Sequence, residues 1–398
     1  MISVAEAYKV VMGRAQTRPI VEVDLVHALG FVLAESIIAD RDFPPFDRVC
    51  MDGICVHSVD LEAGKKSFEI KGTAFAGTPQ VSYQGAGTAI EVMTGAILPD
   101  GYDVVIPVEA LEVNAGFATI SDQQWPCGAN IQGQGVEEQK GNILLDPGTI
   151  IGTAEIGVLA TVGKQKVQVY KPFHIAVLST GDELVSVDQV PQAFQIRGSN
   201  GIQLKSIFES IHQEVHLFHL NDEPKVLFDQ IKDIIQNHDM LILSGGVSKG
   251  KKDYLPQVLE QLGVKKHFHR VAQKPGKPFW FGESITGKAV FAFPGNPVST
   301  FLCAYKYALP FIYKSMGQVE KPQESAVISM DIHFKKSLTY FPTVQLTQDG
   351  SNLTARFNPG KGSGDLAALL DNDAFIQFPA EVDTVKAGTV LPIIRYRS

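Results

Sequence analysis

Residues 240–255 read MLILSGGVSKGKKDYL. The apolar run MLIL is typical of a buried β-strand, and a loop of glycines, serines and lysines follows it directly. Because such a loop leaves backbone N–H groups uncovered, it suits an anion, which the lysines would attract. Asp253 places one carboxylate among these lysines. The stretch therefore predicts an anion site at the end of a strand, although its spacing differs from the GxxxxGK[ST] pattern of nucleotide-hydrolysing phosphate loops.

The segments around this stretch alternate between strand and helix patterns. FHIAVLS (173–179) and EVHLFHL (214–220) are typical of strands, and VFAFPGNPVSTFL (290–302) is typical of a strand, a turn and a helix. This series of βαβ units predicts a parallel sheet with helices on both faces. Ser199 or Asn200 can cap the first helix between the strands. The apolar faces of the first two helices are expected at Leu204, Ile207, Phe208 and Ile211, and at Leu227, Ile231, Ile234 and Ile235.

Three turns fall at the carboxyl ends of the predicted strands, where such sheets bind ligands: TGDE (180–183), SGGVSKG (244–250) and PGNP (294–297). In KPGKP (274–278), prolines restrain two neighbouring lysines, which repel each other unless an anion lies between them. Simpler interpretations remain open here. The glycines can form a plain tight turn, Asp253 can cap the helix that follows it, Glu183 and Thr180 can form a capping box, and KPGKP can be a solvated surface turn.

The rest of the chain predicts further domains. Apolar residues with helical spacing begin at Val4, so the first ~40 residues are expected to be helical. Short β-rich runs split by glycines follow the prolines of DFPPFDR (42–48), and TAEIGVLATVG (153–163) returns to a helical pattern. We therefore expect a multidomain α/β plus β chain. Its parts are a discontinuous helical and linker domain (1–43 and 138–170), an inserted all-β domain (44–137), a parallel α/β domain (171–318) and a C-terminal β-barrel-like domain (319–398).

Composition argues against several classes of protein. The 398 residues carry a net charge of −8, which does not suit a general binder of nucleic acid or membrane surfaces, although eight Lys and Arg against two acids lie between Lys249 and Lys277. The four cysteines form no CxxC pair, so neither a zinc knuckle nor a disulfide framework is predicted. The N-terminal residues lack a signal-peptide pattern, and the apolar stretch at 297–313 is too short to span a membrane. These features predict a cytoplasmic protein.

The three histidines between residues 212 and 219 do not favour a metal site. His212, His216 and His219 have the spacing of an HxxxH motif with one further histidine, but the chain is expected to change from helix to strand between them.

Several segments, in the same order, resemble the molybdopterin molybdenumtransferase family, which includes bacterial MoeA and the E domain of gephyrin. The resemblance covers essentially the whole chain, including the inserted β domain. The segments are PPFDRVCMDG (44–53), VMTGAILPDGYDVVIPVE (92–109), VLSTGDEL (177–184), SNG (199–201), LSGGVSKGKKDY (243–254), KPGKPFWFG (274–282) and FPGNPVS (293–299).

The resemblance implies an enzyme of molybdenum cofactor biosynthesis that inserts molybdate into adenylated molybdopterin and releases AMP, assisted by Mg²⁺. It implies catalytic roles for Asp52, Thr94, Glu183 and Asp253, with Mg²⁺ on Glu183 and Asp253. Asp52 and Thr94 would come from the second subunit of a homodimer, and the molybdopterin adenylyltransferase is a further expected partner. The expected substrate-binding residues are Thr180, Gly181, Asp182, Ser199, Asn200, Ser244, Gly245, Gly246, Ser248, Lys274, Lys277, Pro294, Asn296 and Pro297.

The chain departs from the family pattern at two places. Gly198 stands where relatives commonly carry an acid before Ser-Asn, and GANIQGQGVEEQ (128–139) lacks the arginines of the usual RxxGED stretch, with Glu137 at its acid. A lost carboxylate can remove a metal ligand, and lost guanidiniums weaken bidentate binding of oxyanions. Two alternatives therefore stay open: a pterin-binding scaffold protein without turnover, and an enzyme that inserts another oxyanion such as tungstate.

Overall fold

The computed structural model describes residues 1–121, 123–220, 223–246, 254–318, 322–350 and 352–397. The chain forms two compact units. The first unit comprises Met1–Glu35, Pro147–Ile156 and Gln165–Ser398, and the second comprises Ser36–Asp146 and Gly157–Lys164. Within the described ranges, no helix is both long and apolar enough to cross a membrane.

The first unit is built on a six-stranded mixed sheet. Four neighbouring strands are parallel, as predicted, but two antiparallel strands extend the sheet at one edge. An antiparallel edge on an otherwise parallel sheet is common, because edge strands can be joined by short turns. The strand order is Glu214–Leu220, His174–Thr180, Met240–Ser244, Ala289–Phe293, Trp280–Glu283 and Lys265–His269.

Both faces of this sheet are covered. Ile175 and Val177 belong to one buried cluster, whereas Ala176 and Leu178 belong to another, because successive side chains of a strand point to opposite faces. The predicted helix faces are buried at Leu204, Ile207 and Phe208, and at Leu227, Ile231 and Ile234. Ile211 lies beyond the end of its helix. The helices are Ser199–Glu209, Pro224–Asn237, Leu255–Gln261, Pro297–Cys303 and Leu309–Ser315, with a π-helical turn at Ala304–Ala308.

The N-terminal segment of this unit differs from the prediction. Helix Val4–Met12 forms, with a capping box between Ser3 and Glu6, but the chain leaves the helix at Gly13. The alternating residues of Ile20–Asp24 instead form a strand that pairs antiparallel with Lys166–Tyr170. The expectation of helix over the first ~40 residues is therefore wrong beyond Met12, because β-branched alternation takes over after Pro19. The other short helices of this region are Leu25–His27 and Thr153–Thr161.

A closed five-stranded barrel forms the C-terminal part of the first unit, as the alternating pattern predicts. Closure comes from the pairing of its first and last strands. The barrel order is Ser325–Ile328, Asn352–Phe357, Thr343–Asp349, Ala374–Ile376 and Val390–Arg395. Smaller elements are the ladders Leu184–Val185 with Ile196–Arg197, Gln273–Lys274 with Thr339–Tyr340 and Ile332–His333 with Thr384–Val385, and the 3₁₀ turn Leu366–Leu369.

The second unit is predominantly β, as predicted, and has a six-stranded sheet with a buried cluster on each face. Its strand order is Val104–Pro107, Gly53–Val56, Thr88–Val92, Ser67–Ala74, Phe117–Ile120 and Leu111–Asn114. Two ladders join distant segments: Arg48–Val49 with Ile131–Gln132, and Ile37–Ile38 with Ile143–Leu145. Short helical turns lie at Ser58–Glu62 and Val108–Ala110.

Candidate functional site

The predicted turns lie side by side at the carboxyl ends of the parallel strands of the α/β sheet. Three neighbouring parallel strands end at Thr180, Ser244 and Phe293. Ser179 is paired with Ser244, and Ser244 with Phe293, so the three ends are level with one another. The amide of Gly245 donates a hydrogen bond to the carbonyl of Phe293 (3.2 Å), which ties the second turn to the third. Polar turns from three separate parts of the sequence therefore lie together at these strand ends.

The glycine turn depends on the absence of side chains. Gly245 and Gly246 have φ of 99° and 66°, a region that favours glycine. A Cβ on Gly246 would lie 2.5 Å from Cδ1 of Leu255 and 2.9 Å from Oγ1 of Thr180, and one on Gly245 would lie 3.0 Å from the carbonyl oxygen of Thr180. The backbone of this turn thus approaches the neighbouring strand closely. Ser248 and Asp253, both expected site residues, lie outside the described residues.

Asn200 connects the turns. Its Nδ2 donates hydrogen bonds to Oγ of Ser244 (2.9 Å) and to the carbonyl of Gly295 (2.7 Å). Its Oδ1 and the Oγ1 of Thr180 are buried without a hydrogen-bond partner in the described parts of the chain, so both are available to a polar ligand. The capping expectation is wrong in detail, because Gly198 occupies the N-cap and Ser199 is the first helical residue.

Glu183 does not form a capping box, because no helix begins there. Leu184–Val185 is a short strand that pairs with Ile196–Arg197. The carboxylate instead folds back over Gly181, where a Cβ would lie 2.7 Å from Oε2 of Glu183. Asp182 and Glu183 are exposed. An accessible carboxylate therefore lies next to the strand end at Thr180.

The two lysines of KPGKP are exposed and line one cleft of about 380 Å³ together with Pro294 and Asn296. The ammonium group of Lys274 lies over the rings of Phe334 and Tyr340, at 5.4 and 5.1 Å from their centroids. The opposite wall is the loop 359–365, which carries a third exposed cation, Lys361. Its Ser363 Oγ accepts a hydrogen bond from Nδ2 of Asn296 (2.7 Å). Pro297 begins the helix that follows PGNP.

A buried polar pair supports KPGKP from below. Gln273 is fully buried; its Oε1 accepts a hydrogen bond from the hydroxyl of Tyr307 (2.5 Å), and its Nε2 donates one to the carbonyl of Pro275 (3.1 Å). Gly276 has φ of 92°, and a Cβ there would lie 2.4 Å from Nε2 of Gln273. Neither Gln273 nor Tyr307 nor Lys361 was predicted. The glycine-rich sequence NPGKGS (358–363), which resembles the other turns in composition, is the signal that could have identified Lys361.

In the second unit, Asp52 and Thr94 contact each other directly. Oδ1 of Asp52 accepts hydrogen bonds from the backbone amide and the hydroxyl of Thr94, each 2.7 Å long. These two hydrogen bonds lower the pKa of Asp52, the amide being the larger cause, so the side chain is an exposed carboxylate at neutral pH. The sequence resemblance named both residues, and the structure brings them together.

The missing arginines of the 128–139 segment are partly offset by Arg48, which comes from PPFDRVCMDG. Its guanidinium donates a hydrogen bond to Oε1 of Gln132 and lies 3.0 Å from Oε1 of Glu137. Gln132 also donates to the same carboxylate oxygen (2.8 Å). The pairing of Arg48 with Gln132 in the short ladder explains this arrangement. One arginine is therefore present at this position, although the segment itself contains none.

Three family models match successive parts of the chain. They describe the MoeA N-terminal region, domains I and II (residues 2–163), a probable molybdopterin binding domain (176–314) and the MoeA C-terminal region, domain IV (325–396). The chain is 37% identical over 397 residues to a molybdopterin molybdenumtransferase from Synechocystis, covering 98% of this chain and 99% of the relative. A relative of the same name from Haemophilus influenzae is 32% identical over 378 residues, or 93% and 92% of the two chains.

Solved structures agree with these matches. Two structures of the molybdopterin biosynthesis MoeA protein from Pyrococcus horikoshii have a TM-score of 0.84 to this chain, with 28% and 25% identity and full coverage of both chains. Identity above 30% over nearly the whole length, together with this fold, places the chain beyond doubt in one family. The chain belongs to the MoeA family of molybdopterin molybdenumtransferases.

Proposed function

We propose that this chain inserts molybdenum from molybdate into adenylated molybdopterin and releases AMP, as a molybdopterin molybdenumtransferase. The observation that carries the proposal is that polar turns at the strand ends and exposed lysines in the adjoining cleft lie close together. The chain is also 37% identical over its length to a relative named molybdopterin molybdenumtransferase. A scaffold protein without turnover would not need an exposed carboxylate beside these turns. The comparisons do not favour that alternative.

The phosphate groups of the substrate would bind at the glycine turn and the cleft. The backbone amides of Gly245 and Gly246 can donate to phosphate oxygens, and Lys274 and Lys277 supply positive charge. Lys361, on the opposite wall, is a third cation that can bind molybdate or a phosphate oxygen. Oδ1 of Asn200 can accept a hydrogen bond from the pterin substrate, and Oγ1 of Thr180 can accept or donate one, because neither atom has a partner among the described residues. These groups bind and orient the substrate.

Mg²⁺ would be held by Glu183 and Asp253. The exposed carboxylate of Glu183 beside the strand end suits this ion, which prefers hard oxygen ligands and keeps several waters. When bound, Mg²⁺ neutralises charge on the phosphoanhydride that is cleaved to release AMP. The chain's own lysines and amides position that anhydride, and Asp52 with Thr94 would come from the second subunit of a homodimer.

The test measures AMP release and formation of active cofactor from molybdopterin-adenylate, Mg²⁺ and molybdate. We expect turnover by the wild-type chain. We expect K274A/K277A to weaken substrate binding by roughly 100-fold or more, since two charge-assisted hydrogen bonds are lost and each is worth about 1.5–3 kcal/mol. Lys225→Ala, an exposed lysine on the helix Pro224–Asn237, is the matched control and should bind normally. No AMP release by the folded wild-type chain would contradict the proposal.

Two further features belong to this proposal. We expect the protein to work in the cytoplasm and to receive molybdopterin-adenylate from the adenylyltransferase. A pull-down between the purified adenylyltransferase and this chain, with and without bound adenylate, tests the second point. Absence of a complex under both conditions would restrict transfer to free diffusion of the substrate.

A further inference from the structure

Three histidines meet at the end of the α/β sheet opposite the candidate active site. His174 begins a strand, His216 lies on the neighbouring edge strand, and His238 directly follows the helix Pro224–Asn237. One possible ligand atom from each lies within 4.8 Å of the other two. His174 is six residues from Thr180 along the strand, or about 20 Å. The cluster is therefore separate from the turns that form the candidate active site.

The hydrogen bonds of two rings leave their Nε2 atoms as acceptors. Nδ1 of His238 lies 3.0 Å from the carbonyl of Ile234, and Nδ1 of His174 lies 3.2 Å from the carbonyl of Asn237. Because a carbonyl only accepts, each Nδ1 carries the proton and each Nε2 presents a lone pair. Metal-binding histidines are typically oriented in this way, with the second ring nitrogen donating to a backbone carbonyl or a carboxylate.

The lone pair of His174 faces a carboxylate, and that of His238 faces a nitrogen of His216. Nε2 of His174 is buried without a hydrogen-bond partner in the described residues, and it lies 3.3 Å from Oε1 of Glu214. Nε2 of His238 lies 3.2 Å from Nδ1 of His216, whose Nε2 is in turn 3.5 Å from the same Glu214 oxygen. An imidazole lone pair beside a carboxylate is repulsive. A cation bound by Nε2 of His174 would remove this repulsion and give that nitrogen the partner that it lacks among the described residues.

We propose that His174, His216 and His238 form a binding site for a divalent transition-metal ion, with Zn²⁺ as the ion that fits best. Three imidazoles, with a water in the fourth position, are a ligand set that Zn²⁺ accepts in four-coordinate tetrahedral geometry. With Zn–N distances of 2.0–2.1 Å, neighbouring ligand atoms are about 3.3 Å apart. The observed separation of 3.2 Å between Nδ1 of His216 and Nε2 of His238 matches such an edge.

The position of the cluster also favours a cation. It lies at the carboxyl end of the helix Pro224–Asn237, whose last carbonyls attract positive charge. Two of those carbonyls already receive Nζ of Lys288, at 2.9 and 2.8 Å. The ion would join the edge strand, the neighbouring strand and the helix end. We expect its role to be structural, since the described turns of the candidate active site lie at the other end of the sheet.

The test uses tag-free, full-length protein treated with a chelator, dialysed and titrated with ZnCl₂ by calorimetry, with metal content measured afterwards. We expect one Zn²⁺ per chain. His216→Ala, at an exposed position that tolerates a smaller side chain, should lower the Zn²⁺ affinity by about tenfold or more. His219→Ala, in the same strand but outside the cluster, is the matched control and should bind as the wild type does. Glu183→Gln should also bind normally, because Glu183 lies at the other end of the sheet.

A second measurement separates ligand loss from misfolding. Co²⁺ in a four-coordinate histidine site absorbs strongly in the visible range. This absorption should appear with the wild type and be absent with His216→Ala. The melting temperature of the metal-free variant should stay close to that of the wild type. MgCl₂ should not bind there, because Mg²⁺ needs oxygen ligands. Failure of the wild type to take up Zn²⁺, or equal uptake by H174A/H216A, would overturn the proposal.

Discussion

At the scale of single residues, Gly198 is the departure that can be tested most directly. It is the N-cap of Ser199–Glu209, with φ of −71° and no side chain to cap the helix. A Cβ there would lie 3.7 Å from the nearest atom, the carbonyl oxygen of Val185, so a larger residue fits. We expect Gly198→Asp to fold, to gain a few tenths of a kcal/mol from capping, and to bind Mg²⁺ more tightly if Glu183 lies close to the same ion.

Calorimetric titration of Mg²⁺ into wild-type and Gly198→Asp proteins, with bound adenylate, measures this effect. Gly198→Asn is the control, because asparagine caps the helix as well as aspartate but adds no charge. Equal Mg²⁺ affinity in all three proteins would show that position 198 is too far from the ion to matter.

Asp253 is the second test at this scale. The helix after it begins at Leu255, and Asp253 itself lies outside the described residues, so the capping role stays open as the alternative. Asp253→Asn keeps the shape of the side chain and removes the charge. We expect substrate binding to survive, and AMP release to fall by roughly 10²–10³. Unchanged turnover, with an unchanged melting temperature, would exclude Asp253 from the Mg²⁺ site.

The residues that sequence reasoning missed share one property, which is that their partners are distant in the chain. Gln273 is recognisable as a support only because Tyr307 lies beneath it, 34 positions later. His174 is the first residue of one strand and His238 lies two residues before another, and nothing local indicates that these strands are neighbours. The glycine turns and lysines, in contrast, were predicted because the residues that indicate an anion site are consecutive in the sequence.

At the scale of structural elements, the turn after Met240–Ser244 is expected to tolerate no side chain. Gly246→Ala would place Cβ 2.5 Å from Leu255 in a backbone conformation with φ of 66°. The left-handed conformation alone costs roughly 1–2 kcal/mol, and overpacking adds about 1–3 kcal/mol. We expect a loss of roughly 2 kcal/mol or more in the free energy of unfolding, measured with denaturant, and weaker binding of inorganic phosphate.

The matched control is Gly388→Ala, since Gly388 has φ of 84° but no atom within 4 Å of the added Cβ. Gly388→Ala should lose only the part of the free energy of unfolding that the left-handed backbone conformation costs. If both variants lose the same stability, the close approach of the 244–246 turn to its neighbours has no energetic cost.

The π-helical turn Ala304–Ala308 carries Lys306, whose Nζ donates to Oε1 of Gln377 (3.1 Å) and lies over the ring of Tyr8. Burial lowers the pKa of Lys306 to about 8, from a usual value of 10.5. The folded chain therefore releases this proton before the unfolded chain does. Below pH 8, the buried ammonium group of Lys306 lowers the free energy of unfolding by at most roughly 3 kcal/mol. This destabilisation disappears as the pH rises from 8 to 10.5.

We expect Lys306→Met to raise the melting temperature at pH 7, and its advantage over the wild type to shrink between pH 8 and 10. Lys306→Arg, which stays charged throughout, should show no such convergence. A difference between Met and wild type that is constant from pH 7 to 10 would mean that the ammonium group is not desolvated.

Elements were predicted well where their own pattern determines them. The helix face of Leu204, Ile207 and Phe208 and the strands at 174–180 and 240–244 follow from periodicity, because burial selects apolar residues at that spacing. The predicted N-terminal helix was extended too far, since Ile20–Asp24 is a strand that pairs with Lys166–Tyr170, more than 140 residues away. Long-range pairing is not visible in a local pattern.

At the scale of the whole molecule, the chain divides its expected catalytic residues between two units. Glu183 and Asp253 belong to the first, and Asp52 and Thr94 to the second. The exposed pair of Asp52 and Thr94 lies beside the sheet of the second unit, and two hydrogen bonds from Thr94 lower the pKa of the Asp52 carboxyl group. This separation is consistent with the proposed homodimer, in which each cleft takes Asp52 and Thr94 from the partner subunit.

Complementation between two inactive variants tests that arrangement. If Asp52→Ala and Asp253→Asn subunits are mixed and exchanged, a heterodimer has one cleft in which the partner's Asp52 and the first subunit's Asp253 are both intact. We therefore expect AMP release to reappear on mixing, and light scattering to show a dimer at micromolar concentration. The pair Asp253→Asn and Glu183→Gln is the control: both residues belong to the same unit, so every cleft keeps one defect and no activity should return. Because a monomeric site would also keep one defect in every cleft of the first mixture, activity that fails to reappear there would contradict a shared site.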